Sequence, residues 1–465
     1  MLPPTIRRDL STAEIKPSGK VWTEGTLGYT RAGLAILFFW LLWGDFSWAM
    51  KDRGVGPVAT LLFKKYSASD FLVGMLLVSL PMLISMVAGP IVSYKSDRHR
   101  GRFGRRIPFL LIQTPIAALA MVGLAFSPVL GKFLNAALGT FSPGRDGSVL
   151  FFLGTFWVIF NVTSIVANTI FQGLINDVVP REMLGRFFGA FRAVSLIAGM
   201  VFNRWIFAKA ETGYHWIFLG MAALYGAGFI WMCLKVKEGE YPPPPPPDPN
   251  RGALAFLTAS KGYLKECFGK PYFLWFFAAL NLSWLAFVPV NTYVLFYAKD
   301  LHMDLQTYGN CSVLSFFVSL VLTYPLGSLA DRFHPLRTGM VIQGIYIVVT
   351  LGAGFLVHDA GSFAIAIVLN SVVAGAWMTA VASIAQKLLP RNNFTQIASA
   401  GAILGSFTNI MVPPLVGLFL DHHHHNYRYT FFISGSIAIA ALLTSLVLHQ
   451  KFMQLGGPKN YVAPE

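Results

Sequence analysis

The sequence predicts an all-α membrane protein, with about twelve transmembrane helices in two six-helix halves and both termini on the cytoplasmic side. Three observations predict it: charge is scarce, apolar runs recur at bilayer length, and a short acidic–basic motif appears twice, half a chain apart. Of 465 residues, 55% are apolar and 12% charged, where soluble domains carry roughly 25% charged residues. A spanning helix needs ~20 apolar residues.

The first thirty residues are polar and include Arg7, Arg8, Lys16 and Lys20. They read as a cytoplasmic tail (1–30), not as a cleavable signal. Apolar runs follow at about 32–62, 70–94, 107–128, 148–176, 186–208 and 214–234, forming a first bundle over 31–234. The polar stretch 235–271 comes next. It holds six consecutive prolines, Pro242 to Pro247, a stiff polyproline II segment that cannot be helix. Ala253 to Phe268 reads as a possible amphipathic surface helix. Runs resume at about 272–298, 307–330, 338–357, 362–388, 396–420 and 430–449, a second bundle over 272–450, with a short tail over 451–465.

Orientation follows from basic residues. With the amino terminus inside and the chain alternating, 25 of the 36 Lys and Arg residues fall in inner segments, which predicts cytoplasmic termini. The same placement explains the net charge of +15 and excludes a nucleic-acid-binding domain, since no basic arm exists. Cys233, Cys267 and Cys311 are isolated and form no disulfide framework. His422 to His425 read as a solvated loop with no distant ligand set, so no metal is expected. No nucleotide-binding loop or nucleophile–base pair marks an enzyme or a cofactor.

The second run ends in Ser93, Tyr94, Lys95, Ser96, Asp97 and Arg98, and the eighth in Gly327, Ser328, Leu329, Ala330, Asp331 and Arg332; Asp97 and Asp331 stand 234 positions apart. A six-helix unit repeated in parallel is one transporter plan. At these residues the chain resembles the major facilitator superfamily, whose mark is a Gly-x-x-x-Asp-Arg stretch followed by basic residues. Here serine replaces the usual glycine. The continuation through Arg102, Phe103, Gly104, Arg105, Arg106, Pro108 and Phe109 resembles the sucrose transporters and the glycoside–pentoside–hexuronide cation symporters. Asp177 to Phe187 and Leu389 to Asp421 look like further shared stretches. The resemblance implies secondary transport of a sugar or glycoside by alternating access, with cation symport (protons before sodium), by a multi-pass monomer of the cytoplasmic (inner) membrane. Asp97, Arg98, Arg105, Arg106, Asp331 and Arg332 are then candidate gating residues. Their plainer reading is a basic loop that holds topology against anionic lipid.

Ionisable residues within membrane helices usually face a cavity. Asp45 and Asp52 lie seven apart, on one helical face. They are candidates for cation coupling, with Asp45 also for substrate, if the first helix runs on through Pro57; a helix ending near Met50 would leave Lys51, Asp52 and Arg53 in a loop. Arg192 could hold substrate or pair with these acids, or reach the interface. The resemblance also implies that helices one, four, seven and ten line the cavity. These carry Asn161, Asn168 and Gln172; Asn281, Trp284 and Asn291; and Asn370 and Trp377. Amides match sugar hydroxyls and indoles stack on sugar CH faces, but amides also join membrane helices. Another polar metabolite, drug efflux, or a non-transporting receptor or assembly factor are the alternative roles.

Overall fold

The computed structural model describes residues 21–241, 267–390 and 394–464. The proline run lies outside them, as does the expected surface helix except for Cys267 and Phe268. The chain opens with a small antiparallel hairpin, β1 (Trp22–Glu24) and β2 (Leu27–Tyr29).

Helices then follow one another with short connections. α1 is Arg31–Lys65, unbroken through Pro57, so the longer of the two expected first helices is the one that forms. α2 runs from Asp70–Gly74 through a π-turn at Met75–Ser79 into Leu80–Arg98. α3 is Ile107–Leu138 and α4 Gly144–Val178. α5, Leu184–Val201, is prolonged by a π-turn at Phe202–Ile206 and a tight turn at Phe207–Lys209; α6 is Ala210–Lys235. In the second half, α7 comprises Pro271–Leu285 and Val288–Asp300, broken between them. α8 is Leu305–Phe333, α9 Pro335–Leu356, and α10 Ala360–Ala380 with a tail at Ile384–Leu388. α11 is Phe394–His422 and α12 Tyr429–Gln454.

Local chemistry sets the starts. The side chains of Thr30, Ser69, Asp304 and Asp359 each accept a backbone N–H three residues on, satisfying donors that a helix end otherwise leaves open. Among the described residues, eleven stretches are long and apolar enough to cross a membrane, and one of them, Phe187–Lys235, has 49 residues. At 1.5 Å per residue that is roughly 75 Å, far beyond one crossing. It turns at Gly213, where the backbone is non-helical, and α6 returns along α1 and α3. The result is twelve spans.

The apolar packing is asymmetric along the bundle axis. One buried core joins the first half to Val290, Phe296, Val357, Phe363, Leu420 and Phe431 of the second. A separate core holds Tyr272, Phe276, Leu336, Leu388, Leu448 and Phe452. The halves are therefore fused at the end carrying Asp70, while at the end carrying Asp97 the second half keeps a core of its own.

Candidate functional site

A cavity of about 410 Å³ lies between the halves, below the fused end. α1 and α4 contribute Thr60 and Trp157, and α7 and α11 contribute Trp284, Asn291, Thr292 and Asn409. Trp157 lines the cavity wall, while its indole N–H is buried without a partner. Of the expected substrate residues, the structure brings Trp284 and Asn291 to this cavity. Trp377 is 2% exposed and stands behind Trp284, edge to face at 5.7 Å.

The remaining expected amides do not line this cavity. Asn370 is buried and donates to Thr350 of α9. Asn281 donates to the Phe277 carbonyl of its own helix and, at 3.4 Å, to Gly401 of α11. Asn161 donates back to Trp157 at 3.4 Å. Asn168 is exposed and Gln172 half-buried, and neither lines this cavity. Helical spacing identified which amides share a face, but packing decides where each face points. Sequence reasoning missed Thr60, Trp157, Thr292 and Asn409. Trp157 lies one turn before Asn161, and that spacing could have found it.

The ionisable groups of α1 separate by depth. Asp45 is 1% exposed, and one of its oxygens has no partner. Asp52, two turns on, is exposed. Lys51, between them, is fully buried. Its ammonium donates to Ser164 at 2.9 Å and lies 3.6 Å from the Trp48 ring centre, with Tyr225 and Phe160 at 4.9 and 5.1 Å. That aromatic cage replaces part of the lost hydration. Arg192 bonds neither acid: it donates across the halves to Thr379 at 3.0 Å.

At the Asp97 end, a charged latch closes the first half. Arg106 pairs with Asp97 at 2.7 Å and with Asp177 at 3.1 Å. Arg105 grips both oxygens of Asp177, at 2.9 and 2.5 Å. Arg98 is half-buried. Glu238, just beyond α6, accepts the backbone N–H groups of Arg105, Arg106 and Ile107 at 2.9, 2.8 and 2.7 Å. A carboxylate there meets the positive end of α3. Gly104 has φ +94° and leaves no space for a Cβ against Glu238. The ring of Tyr241 lies 4.1 Å from the Arg105 guanidinium, and burial together with Glu238 pushes its hydroxyl well above the usual range. The second copy of the motif is described only in part. Arg332 is exposed over Phe333, and the Asp331 side chain lies outside the described ones.

The Asp70 end carries a second polar cluster, one that the expectation of a solvated histidine loop did not foresee. Asp421 accepts the N–H groups of Asp70 and Phe71 at 2.8 and 2.9 Å. Asp70 itself takes the Tyr427 hydroxyl at 3.0 Å and His425 Nδ1 at 2.7 Å. Lys64 reaches Tyr427 at 2.6 Å, and Lys299 pairs with Glu211 nearby. His425 is thus held by a residue 355 positions away, a contact no local spacing announces.

Known proteins resemble this chain in part of the sequence or in the fold. Over 144 residues the chain is 26% identical to the sucrose transport protein SUT5 of Oryza sativa, in both the indica and japonica subspecies; the match covers 29% of this chain and 25% of the relative's length. The whole fold superposes on a bacterial homologue of the human lysosomal transporter Spinster, inward-facing and unoccupied, with a TM-score of 0.64, 13% identity and coverage of 94% and 100% of the two chains. A D-xylose–proton symporter gives 0.61, 14%, 92% and 97%. A bacterial homologue of the iron transporter ferroportin, inward-facing, gives 0.63, 14%, 89% and 99%. The sequence profile of the Major Facilitator Superfamily matches residues 45–413 and, in a second match, 290–459. With twelve apolar spans, an interhalf cavity and a latch built on Asp97, the chain is a multi-pass membrane protein with a transporter fold, not an enzyme, and it belongs to the major facilitator superfamily.

Proposed function

We propose that this protein moves a sugar or glycoside across the cytoplasmic membrane by alternating access, as a monomeric cation symporter driven by protons. The observation that carries the reading is the cavity lining. Trp157 and Trp284 line it with aromatic rings, and Asn291, Asn409, Thr60 and Thr292 with donors and acceptors. A sugar needs both kinds of contact, and the volume falls in the range of small-molecule sites, roughly 300–1,000 Å³. The partial likeness to sucrose transport proteins and the fold shared with a xylose–proton symporter support the same class.

Asp45 is the coupling carboxylate in this reading. It is buried with an unpartnered oxygen, a position where gain and loss of a proton changes the cost of burial most. Asp52, exposed, is the second candidate. Both termini face the cytoplasm, in line with the basic residues.

The lining also holds Leu77, Val78, Phe287 and Met378, and this apolar share favours, as the second reading, transport of a less polar compound. Charge movement on a solid-supported membrane carrying the reconstituted protein separates the two. A panel of mono- and disaccharides is applied at several pH values, with and without sodium. The expected result is a sugar-specific current that grows with proton supply, disappears in Asp45→Asn, and weakens in Trp284→Ala. Silence across the panel from folded protein removes the sugar claim.

A further inference from the structure

The cluster at the Asp70 end does more than the transport reading asks of it. His425 Nδ1 stands 2.7 Å from an oxygen of Asp70 and 3.5 Å from one of Asp421. One ligand atom from each of the three lies within 4.8 Å of the other two. Asp70 is 0% exposed, and a carboxylate so far from water requires opposing positive charge.

The positive charge at hand is small. Lys64 acts one group removed, through the Tyr427 hydroxyl that donates to Asp70. The start of α2, worth about half a charge, is already engaged by Asp421. Two carboxylates therefore face one lysine, one helix end and the His425 imidazole. Three ligand atoms converge at this point, and an ion bound there would take the place of the proton that His425 Nδ1 now donates to Asp70.

The donor set then decides which cation fits. One imidazole and two carboxylates suit a borderline divalent ion. Tetrahedral zinc, with ligands at 2.0–2.2 Å, places its donors roughly 3.3 Å apart, a value between the 2.7 and 3.5 Å that separate His425 Nδ1 from the two carboxylates. Each carboxylate keeps lone pairs beyond those its present hydrogen bonds use. His425 is half exposed, so an ion has a path in from water.

We propose that Asp70, Asp421 and His425 bind a divalent transition-metal ion of the zinc class, and that the bound ion pins α2 of one half to the α11–α12 connection of the other. The three ligands come from both halves, so occupancy holds the Asp70 end shut and slows the alternation that any facilitator substrate requires. The inference does not depend on what the protein carries.

Neighbouring histidines supply the control. His422 and His423 turn their Nδ1 atoms to carbonyls of their own helix, and His423 stacks on Phe419. A run of histidines can nonetheless collect metal by itself, and the test must tell the two apart. Zinc chloride is titrated into the full chain in lipid nanodiscs and followed by calorimetry. Expected is one ion per chain with micromolar affinity, weakened at least tenfold in His425→Ala and in Asp421→Asn, and kept when His422, His423 and His424 are all replaced by alanine. Zinc should also slow, severalfold, modification of a cysteine placed at Thr292 by an impermeant maleimide added from the Asp70 side, and have no such effect once His425→Ala is added. Absence of binding to folded protein overturns the site. Binding that survives His425→Ala but is lost in the triple variant shows adventitious capture and overturns it equally. Binding that leaves the labelling rate unchanged overturns the pinning.

Discussion

Asp421, at the end of α11, caps the helix that Asp70 begins: its two carboxylate oxygens accept the N–H groups of Asp70 and Phe71 at 2.8 and 2.9 Å. A helix in one half of the transporter is thus completed by a side chain of the other half. The approach is close, because a Cβ on Gly417 would sit 2.3 Å from the Asp70 carbonyl oxygen. A polar cap and a backbone-to-backbone contact hold the same seam, and both must part if the cavity is to open at this end.

Weakening the cap should therefore favour opening. Replacing a capping side chain costs about 0.5–2 kcal/mol. Asp421→Ala is expected to raise the labelling rate of a cysteine at Thr292 severalfold from the Asp70 side, in metal-free buffer. Unchanged labelling would mean that the seam does not limit access.

Gly417→Val tests the contact separately. The added carbons have no space unless α2 and α11 move apart, so the expected outcome is fast labelling at Thr292 together with loss of transport current. Current at the parental level from correctly folded protein would show that the helices separate here without consequence.

Glu238 supports the latch from outside it, by taking three N–H groups at the start of α3. Hydrogen bonds to a charged acceptor contribute about 1.5–3 kcal/mol when buried, and less where solvent reaches them. Glu238→Gln should lower the melting temperature by a few degrees. Its effect should shrink when Arg105→Gln is already present, because Arg105 and Glu238 position the same loop. Strictly additive effects in that double-mutant cycle would sink the idea of a shared element.

Lys51 tests the cost of a buried charge. Taking an ammonium out of water carries a penalty of several kcal/mol, which an apolar side chain of similar length removes. Lys51→Met should fill the aromatic cage and keep or raise the melting temperature. A large loss of stability instead would make Lys51 a structural residue of the first half.

His334 predicts a pH effect on folding. It precedes α9, and its Nδ1 accepts the Leu336 N–H at 3.3 Å. Burial first, then the charges of Lys387, Arg337 and His449, lower its pKa from 6.5 to about 4. Between those values the unfolded chain binds a proton that the folded chain does not. Stability should therefore be fully present above about pH 6.5 and fall as pH drops toward 4, with no further loss below. His334→Asn carries no titrating group. A melting-temperature profile over this window should be flatter for the variant than for the parent.

Much of the fold was legible because a bilayer imposes a length on any chain that crosses it. Apolar runs announced the helices, and the repeat of Asp97 at Asp331 announced the two halves. The latch was partly legible, since Asp97 at the end of α2 and Arg105 and Arg106 just before α3 are close in sequence. The long α1 was one of two open readings, and Pro57 proved no obstacle. The cavity was less legible. Trp284 and Asn291 reach it, whereas Asn281 and Asn370 spend their amides between helices, and both kinds of site look alike in a linear sequence.

What the sequence determined by itself is the set of local and periodic properties: which segments are apolar enough to span, where helices start, and that the chain is built twice from one plan. These depend on residues within a few turns of one another. The tertiary structure alone decided the rotation of each helix about its axis, and so the burial of Lys51 and Asp45 against the exposure of Asp52. It alone brought Asp70 to Asp421 and His425. Rotation and interhalf contact are set by the packing of surfaces hundreds of residues apart, and no spacing within the chain encodes them.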